Sequence, residues 1–287
     1  MTGENAMTAP LTSPLPGRLA GKLRVGCIGC GRMGGAILFG LAARKIPGLT
    51  LCGCNRSPEK MEPLAALGVE AMPGIPELAA KADLLILAVK PYQVADVLAA
   101  ARGHLRPGTL VLSVAAGVSL DRIAKGVGDG VAVARCMPTT TALVGKGIFA
   151  FCFAPGPHVE EWRTPLLELF GRLGLCLELP EEKFTDFSAL IGAGPAYVFA
   201  MMQGLVQAGV TLGFPHAESR RMVGELFAGC AALADGGTAP LMQLRDDVCS
   251  PGGLTIAGVN VLDRAGLSGL LVDAVLAARE RGREMER

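Results

Sequence analysis

The chain has 287 residues, 51% of them hydrophobic and 18% charged, and its formal net charge is +1. This length suits one large domain or two ordinary ones, and the composition is that of a globular protein. Because no basic run stands out, the sequence lacks the clustered positive charge that is typical of proteins that bind nucleic acids. The nine cysteines are odd in number and scattered through apolar segments, which favours a reducing cytoplasm over a disulfide framework.

The first 22 residues are rich in Thr, Pro and Gly and contain no apolar core. Residues 1–22 are therefore predicted to form a disordered N-terminal tail. They lack the charged segment followed by an apolar run that a secretory signal requires, so we do not interpret them as one.

From residue 23 to about residue 180, short β-rich runs alternate with helical runs. The predicted strands are 24–28, 50–54, 83–89, 109–114, 131–135 and 148–153, and the predicted helices include 33–43, 58–67 and 93–101. Near-continuous apolar strands separated by helices indicate a parallel sheet covered on both faces. We therefore predict an α/β chain, with a Rossmann-type doubly wound dinucleotide-binding domain over 23–180 and an all-helical domain over 181–287.

A glycine motif follows the first predicted strand and opens the first predicted helix. Gly29, Gly31 and Gly34 have the G-x-G-x-x-G spacing, which permits a tight turn, close approach of a pyrophosphate, and helix–strand packing. The phosphates would meet free N–H groups at the helix N-terminus. A plain tight turn is the alternative. The residues predicted to bind the cofactor here are Gly29, Cys30, Gly31, Arg32, Met33 and Gly34.

Cysteine pairs in this region raise the question of a metal site. Cys27 and Cys30 form a C-x-x-C, and Cys52 and Cys54 lie on the next predicted strand. Structural zinc prefers such pairs in loops, whereas Cys27 falls inside an apolar strand pattern. We predict buried thiols and no metal.

The end of the second predicted strand decides between NAD and NADP. An NAD site usually carries Asp or Glu there, but this chain has Asn55, Arg56 and Ser57, with Lys60 further on. Asn55 can bond the ribose, while Arg56 and Ser57 can bond a 2′-phosphate. Ser57 followed by Pro58 is also a helix-start pattern. NADPH is the predicted cofactor, with NADH as the alternative.

Two further strand ends complete the predicted cofactor site, because ligands bind at the carboxyl ends of parallel strands. One carries Ala88, Val89, Lys90 and Pro91, and the other carries Ala115 and Ala116. An exposed lysine that closes a strand is the alternative interpretation of Lys90.

The stretch from Phe187 to Pro215 has no charged residue, and it exceeds the ~20 residues that cross a bilayer. It contains Pro195, Gln203 and several glycines, and no Lys/Arg cluster flanks it. A helix that is apolar all round can be buried in a large domain or a dimer core. We predict such a buried helix and no membrane partner.

From about Leu23 to the C-terminus, the sequence resembles the pyrroline-5-carboxylate reductases, which make proline by reducing a cyclic imine. The motifs that carry the resemblance are Ile28–Met33, Ala88–Pro91, Ser113–Gly117, Arg135-Cys136-Met137-Pro138, Gly192–Tyr197 and, most specific, Leu244–Ile256. The resemblance implies that 181–287 is a dimerisation and substrate domain, interlocked with a second subunit in a homodimer or an oligomer of dimers. It also adds Met137 and Pro138 to the cofactor site.

The resemblance assigns the substrate to the segment around Ser250. Glycines there expose backbone N–H groups at a helix start, which suits a carboxylate, although a simple N-cap and turn is the alternative. The resemblance gives Thr255 the catalytic position, with its hydroxyl on the ring nitrogen. The implied substrate-binding residues are Val248, Ser250, Gly252, Gly253, Leu254 and Thr255.

Reduction of a protonated imine needs alignment with the nicotinamide rather than a strong general acid. That agrees with a chain whose three histidines, His104, His158 and His216, lie in no triad-like or ligand-like setting.

Two departures from the family pattern leave alternatives open. Thr139 stands where the family usually has Asn, and Ala193 stands where it usually has Ser. A paralogous imine reductase with another substrate, or a non-catalytic NADP-binding regulator, are the alternatives. A β-hydroxyacid-type dehydrogenase would want a lysine in the helical domain, and none occurs between Phe184 and Arg287.

Overall fold

The computed structural model describes residues 22–156 and 158–286. The predicted disordered tail, apart from Lys22, lies outside the described residues. The described chain divides into two compact units: residues 22–192 with 282–286, and Ala193–Arg281. The domain boundary at residue 180 stays a prediction.

The first unit is built on one eight-stranded sheet with the order β3-β2-β1-β4-β5-β6-β7-β8. The strands are β1 (Leu23–Ile28), β2 (Leu49–Cys54), β3 (Glu70–Ala71), β4 (Leu84–Leu87), β5 (Leu110–Ser113), β6 (Ala132–Pro138), β7 (Gly147–Phe153) and β8 (Gly174–Glu178). Neighbouring strands are parallel except β6 and β7, where the prediction of a parallel sheet is wrong. The segment between them, residues 139–146, is shorter than the dozen or so residues that a parallel crossover needs.

Helices cover both faces of this sheet. They are α1 (Arg32–Ala43), α2 (Glu62–Ala65), α3 (Ile75–Lys81), α4 (Val94–Arg102), α5 (Leu120–Val127) and α6 (Val159–Gly171), followed by α7 (Phe184–Phe187) and a π-helical turn, Ser188–Gly192. One core contains α1 and α6, and the other contains α3, α4 and α5. In β4, Leu84 and Ile86 join the first core while Leu85 and Leu87 join the second. The doubly wound prediction is confirmed.

The predicted helix over 58–67 is interrupted. A 3-10 turn covers Pro58–Lys60, and α2 begins only at Glu62. Pro63 explains part of this, because proline fits the first turn of a helix and cannot extend one that is already running.

The second unit consists of helices, as predicted. They are α8 (Gly194–Thr211), α9 (His216–Gly236), α10 (Leu241–Asp247), α11 (Leu254–Arg264) and most of α12 (Leu267–Glu286). Helices α8 and α9 pack closely, since a Cβ added at Gly209 would lie 2.6 Å from Ser219 Oγ. Val206 and Val223 are buried in these two helices.

Large apolar side chains elsewhere in the second unit remain exposed in the single chain. They include Phe199, Leu205, Leu212, Met222, Leu226, Leu233, Leu241, Leu262, Leu270 and Leu276. By length and composition alone, one helical stretch in the described part of the chain, Glu181–Thr211, could cross a membrane, although core helices of soluble proteins pass the same test. Only 11% of its most apolar 18 residues are buried. The burial predicted for this stretch is therefore not supplied by the chain itself.

Candidate functional site

Four neighbouring strands of the first unit, β2, β1, β4 and β5, end in line at one edge of the sheet, and β6 continues three residues beyond that line, to Pro138. Ile28 lies opposite Cys54 and Leu87. Leu87 lies opposite Ser113, and Ser113 opposite Arg135. The strand order also reverses at β1, because β2 lies on one side of it and β4 on the other. Such a reversal at the carboxyl ends of parallel strands is where open α/β sheets bind ligands.

The glycine motif occupies the loop from β1 into α1. Gly29 has a φ of +90°, and a Cβ there would lie 2.6 Å from the Ala88 carbonyl oxygen. A Cβ at Gly34 would overlap the carbonyl oxygen of Gly29. At Gly31, by contrast, an added Cβ meets no described atom within 4 Å. Two glycines therefore permit tight packing, and the middle one leaves open space for a ligand.

The first turn of α1 presents unpaired donors to that space. Gly31 is the N-cap, and within the described chain the first turn contains no acidic residue and no side-chain cap. The N–H groups of Arg32, Met33 and Gly34 have no carbonyl partner inside the helix, because the first turn of any helix lacks them. Together with the helix dipole they form a cradle for an anion.

Asn55 links the end of β2 to the glycine loop. Its Oδ1 accepts a hydrogen bond from the Cys30 N–H at 3.0 Å, and its Nδ2 donates to the Ser57 carbonyl oxygen at 2.9 Å. Arg56 beside it is exposed. Ser57 is the N-cap of the 3-10 turn, yet in the described structure its side chain makes no capping bond. A guanidinium and a hydroxyl thus remain available next to the cradle.

The remaining predicted cofactor residues lie along the same edge. Ala88 and Val89 pack against the glycine loop, and Lys90 is exposed with its N–H donating to Gln93 Oε1 at 3.2 Å. Ala115 is buried, with its N–H donating to Ser113 Oγ, whereas Ala116 is exposed. Met137 is half-buried and Pro138 buried at the end of β6.

Thr139, the first departure from the family pattern, secures the connection from β6 to β7. It is 2% exposed, its N–H donates to the Ile148 carbonyl oxygen at 3.0 Å, and its Oγ1 accepts from the Ile148 N–H at 2.9 Å. The Thr139 and Thr141 hydroxyls lie 2.7 Å apart. These partners of Thr139 were not predicted from the sequence, because they depend on the antiparallel pairing of β6 with β7.

The thiols behind the glycine loop are buried. A hydrogen bond with the Cys30 thiol and burial raise the pKa of Cys27 well above its ordinary value, while the same bond lowers the pKa of Cys30. Burial raises the pKa of Cys52 to about 11. Among the described residues, no group of three or more His, Cys, Asp or Glu side chains is arranged to hold a metal ion.

The three histidines lie at or near the surface of the described chain. His104 and His216 are exposed, and His158 Nδ1 lies 3.1 Å from Glu161 Oε1 at the start of α6.

The segment from Ser250 to Thr255 forms the start of α11 in the second unit. Gly253 is the N-cap, its N–H donates to the Ser250 carbonyl oxygen at 3.0 Å, and a Cβ at Gly253 would overlap Ser250 Oγ. Gly252 has a φ of +68°. Leu254 is 95% exposed, and Thr255 is exposed beside it on the first turn. This is a second helix start that has no side-chain cap among the described residues, and Val248 is exposed shortly before it.

Arg245 joins the two helices that flank this segment. Its Nε and Nη2 donate to Asp246 Oδ1 at 3.0 and 2.9 Å, and its Nη1 lies 3.6 Å from Asp263 Oδ2 on α11. The hydrogen bond to Asp246 raises the pKa of Arg245. No role was predicted for Arg245 from the sequence, since its pairing across the loop depends on the fold.

The sheet order, the glycine loop and the open first turn of α1 define an α/β dinucleotide-binding domain of the Rossmann type, followed by a helical domain. Comparison with known proteins gives two family matches that agree with this division. Residues 24–117 match the family described as NADP oxidoreductase coenzyme F420-dependent, and residues 181–285 match the pyrroline-5-carboxylate reductase dimerisation family.

Relatives match over nearly the whole chain. A pyrroline-5-carboxylate reductase from Synechocystis is 37% identical over 92% of this chain and 98% of its own length. The Escherichia coli pyrroline-5-carboxylate reductase is 33% identical over 92% and 98%. The crystal structure of a Plasmodium falciparum pyrroline carboxylate reductase with NADP bound has a TM-score of 0.81, at 28% identity over 92% and 98%. The chain belongs to the pyrroline-5-carboxylate reductase family, which confirms the resemblance found in the sequence.

Proposed function

We propose that this protein reduces 1-pyrroline-5-carboxylate to L-proline with NADPH, the last step of proline biosynthesis. The observation that carries the proposal is the second open helix start, at Gly253, in a chain that matches reductases of this name along nearly its whole length. One helix start suits the cofactor's phosphates, and the other suits the substrate's carboxylate.

The cofactor is assigned to the carboxyl edge of the sheet. The pyrophosphate would lie on the cradle and the glycine loop that leads into it, that is, on Gly29, Cys30, Gly31, Arg32, Met33 and Gly34. Asn55, Arg56 and Ser57 would hold the adenosine ribose and its 2′-phosphate, because the exposed guanidinium can form charge-assisted bonds to phosphate. Ala88, Val89, Lys90, Pro91, Ala115, Ala116, Met137 and Pro138 would line the nicotinamide half. When bound, NADPH supplies the hydride, and NADH is the weaker alternative.

The substrate is assigned to the start of α11. The backbone N–H groups of Gly252 and Leu254 and the Ser250 hydroxyl would hold the carboxylate, with Gly253 holding the turn through its bond to Ser250 and Val248 in apolar contact. The Thr255 hydroxyl would hydrogen-bond the ring nitrogen and orient the imine. Because a protonated imine is already electrophilic, alignment rather than strong acid catalysis is what these residues provide.

We also propose that a second copy of the chain covers the apolar faces of the helical unit. A soluble monomer rarely exposes so many large apolar side chains on one domain, and the dimerisation family matches this region. The result would be an interlocked homodimer, or a higher assembly of such dimers, in the cytoplasm. Neither a nucleic acid nor a membrane is proposed as a partner.

The test is a direct assay. Purified protein is mixed with 1-pyrroline-5-carboxylate and either NADPH or NADH, and the loss of reduced-nicotinamide absorbance is followed while proline is quantified. Turnover with NADPH and formation of proline are expected. Tight NADPH binding without turnover of this imine, or of other cyclic imines, would instead identify a non-catalytic NADP-binding regulator.

A further inference from the structure

An ion pair between a buried arginine and a half-buried glutamate lies near the carboxyl edge of the sheet, beside the residues proposed for the cofactor. Arg135 Nη1 lies 2.5 Å from Glu181 Oε1, and the Arg135 side chain is only 6% exposed. The Arg135 guanidinium also lies over the Phe184 ring, 4.9 Å from its centroid. A buried guanidinium is costly unless it is paired, so the position of Arg135 depends on Glu181.

The same carboxylate oxygen has a second partner. Glu181 Oε1 accepts a hydrogen bond from the Leu120 N–H at 2.7 Å, at the first residue of α5. A carboxylate at a helix N-terminus is also favoured by the helix dipole. One oxygen atom therefore joins three segments that are distant in sequence: the first residue of α5, the middle of β6, and the chain that enters α7.

Two of these segments carry the residues proposed for the nicotinamide half of the cofactor. Ala115 and Ala116 lie in the loop that Leu120 closes, and Met137 lies two residues beyond Arg135 on β6. The sequence offered no sign of this link, because Glu181 is 46 residues from Arg135 and 61 from Leu120.

We propose that Arg135 and Glu181 are positioning residues that fix the β5–α5 loop and strand β6, against which the nicotinamide ring lies. The inference rests on the proposed cofactor site. Neither side chain is assigned a contact with the substrate. Both act through the backbone of the β5–α5 loop and of β6, where a displacement of about 1 Å can cost up to about 100-fold in rate.

The sheet supplies a matched control at its opposite edge. Asp83 Oδ1 lies 2.7 Å from Arg106 Nη2, and Asp83 Oδ2 accepts from the Arg24 N–H at 2.8 Å. Like Glu181, this carboxylate pairs with one arginine and one backbone N–H, but it does so at the amino ends of the strands. Glu181→Gln and Asp83→Asn therefore remove equivalent charges, one near the proposed nicotinamide site and one far from it.

The test compares binding of two ligands to the full-length protein. NADPH carries the nicotinamide ring, whereas 2′-phospho-ADP-ribose carries the same phosphates and riboses without it. We expect Glu181→Gln to weaken NADPH binding about 10-fold, the size of loss seen when a side chain that orients a metal ligand from behind is replaced. Binding of 2′-phospho-ADP-ribose should change less than about 2-fold. Asp83→Asn should change neither. If Glu181→Gln fails to fold, Arg135→Lys, which keeps the charge, should show the same selective effect at a smaller size.

The kinetic isotope effect provides a second readout, because it is a ratio of rates that a loss of folded protein leaves unchanged. With NADPH deuterated at the transferred position, Glu181→Gln should lower kcat and raise the isotope effect, because misaligned hydride transfer becomes more rate-limiting. Equal weakening of both ligands, or effects of Asp83→Asn that match those of Glu181→Gln, would overturn the positioning role. A selective loss of NADPH binding in a protein that reduces no imine would leave the positioning role standing and reject the proposed function.

Discussion

The two units of this chain bury their apolar residues in contrasting ways. In the first unit every residue of β4 is buried, and helices cover both faces of the sheet. In the second unit α8 and α9 bury little beyond Val206, Ser219 and Val223, while α10 and α11 contain no buried residue. A hydrophobic core is what stabilises an independent domain, so the first unit has the means to fold alone and the second lacks them.

The same contrast separates the two candidate binding segments. The glycine loop is fixed by contacts with Ala88 and Asn55 inside its own unit. The start of α11, with Leu254 almost fully exposed, has few contacts of that kind. We infer that the chain itself shapes the cofactor loop, whereas the substrate segment depends on the second copy proposed above.

The largest expected effect comes from placing a charge on an exposed apolar face of α9. Leu226 is 53% exposed in the single chain. If a second copy covers it, Leu226→Glu buries an unpaired carboxylate and should weaken self-association by about 100-fold or more, measured by sedimentation over a range of concentrations. Leu143→Glu is the matched control, because Leu143 is 50% exposed in the first unit and should tolerate the charge. If Leu226→Glu associates like the control, the contrast between the units has no bearing on assembly.

Replacement of Thr255 tests the substrate segment. Thr255→Ala removes the hydroxyl assigned to the ring nitrogen, and loss of one such oriented group should lower turnover by about 100-fold. NADPH affinity should stay nearly unchanged, because the cofactor is assigned to the first unit. Thr255→Ser keeps the hydroxyl and should retain most of the activity. A parallel loss of turnover and NADPH affinity would contradict the role given to Thr255.

Replacement of Arg56 tests the cofactor segment, and here the expected change is in cofactor affinity. Arg56→Gln removes an exposed guanidinium whose charge-assisted bonds to a 2′-phosphate are worth about 1.5–3 kcal/mol, so NADPH affinity should fall by at least about 10-fold. NADH has no 2′-phosphate, and its affinity should change little. Lys60→Gln, on the same exposed turn, should have a smaller effect. An equal loss of affinity for NADPH and NADH would mean that Arg56 does not bind the 2′-phosphate.

The strands that could be predicted from the sequence are those that a local residue pattern determines, whereas strands that depend on contacts with distant residues were missed. The short central strands β4 and β5 were predicted because burial on both faces leaves a continuous apolar run. The edge strands β3 and β8 were missed, since β3 has two exposed residues and β8 is only partly buried. An edge strand needs no such apolar run, so its sequence does not distinguish it from a loop.

The candidate binding segments divide in the same way, into features that a local pattern predicts and features that depend on the fold. The spacing of Gly29, Gly31 and Gly34 marks the loop in the sequence, because steric demands on each glycine are local. The links from Asn55 to Cys30 and from Thr139 to Ile148 join strands whose register only the fold defines. Composition alone marks Ser250–Thr255 only as a glycine-rich helix start, and its assignment to substrate came from the family resemblance.

The smallest expected effect concerns the buried thiols, which belong to the first unit. Burial raises the pKa of Cys152 from its ordinary 9.0 to about 12, with Arg135 partly opposing the shift. The folded state therefore keeps this thiol neutral where the unfolded chain ionises it. Its contribution to stability is complete below pH 9 and is lost as the pH rises from there towards 12.

For Cys152 the loss at pH 10 should be about 1.4 kcal/mol relative to pH 7, because pH 10 lies one unit above the ordinary pKa and one unit corresponds to about 1.4 kcal/mol. Cys152→Ala removes the thiol, so its stability, measured by denaturant unfolding at both pH values, should fall by about 1.4 kcal/mol less than that of the wild type. Identical pH dependence in the two proteins would mean that the thiol at Cys152 ionises as readily in the folded first unit as in the unfolded chain.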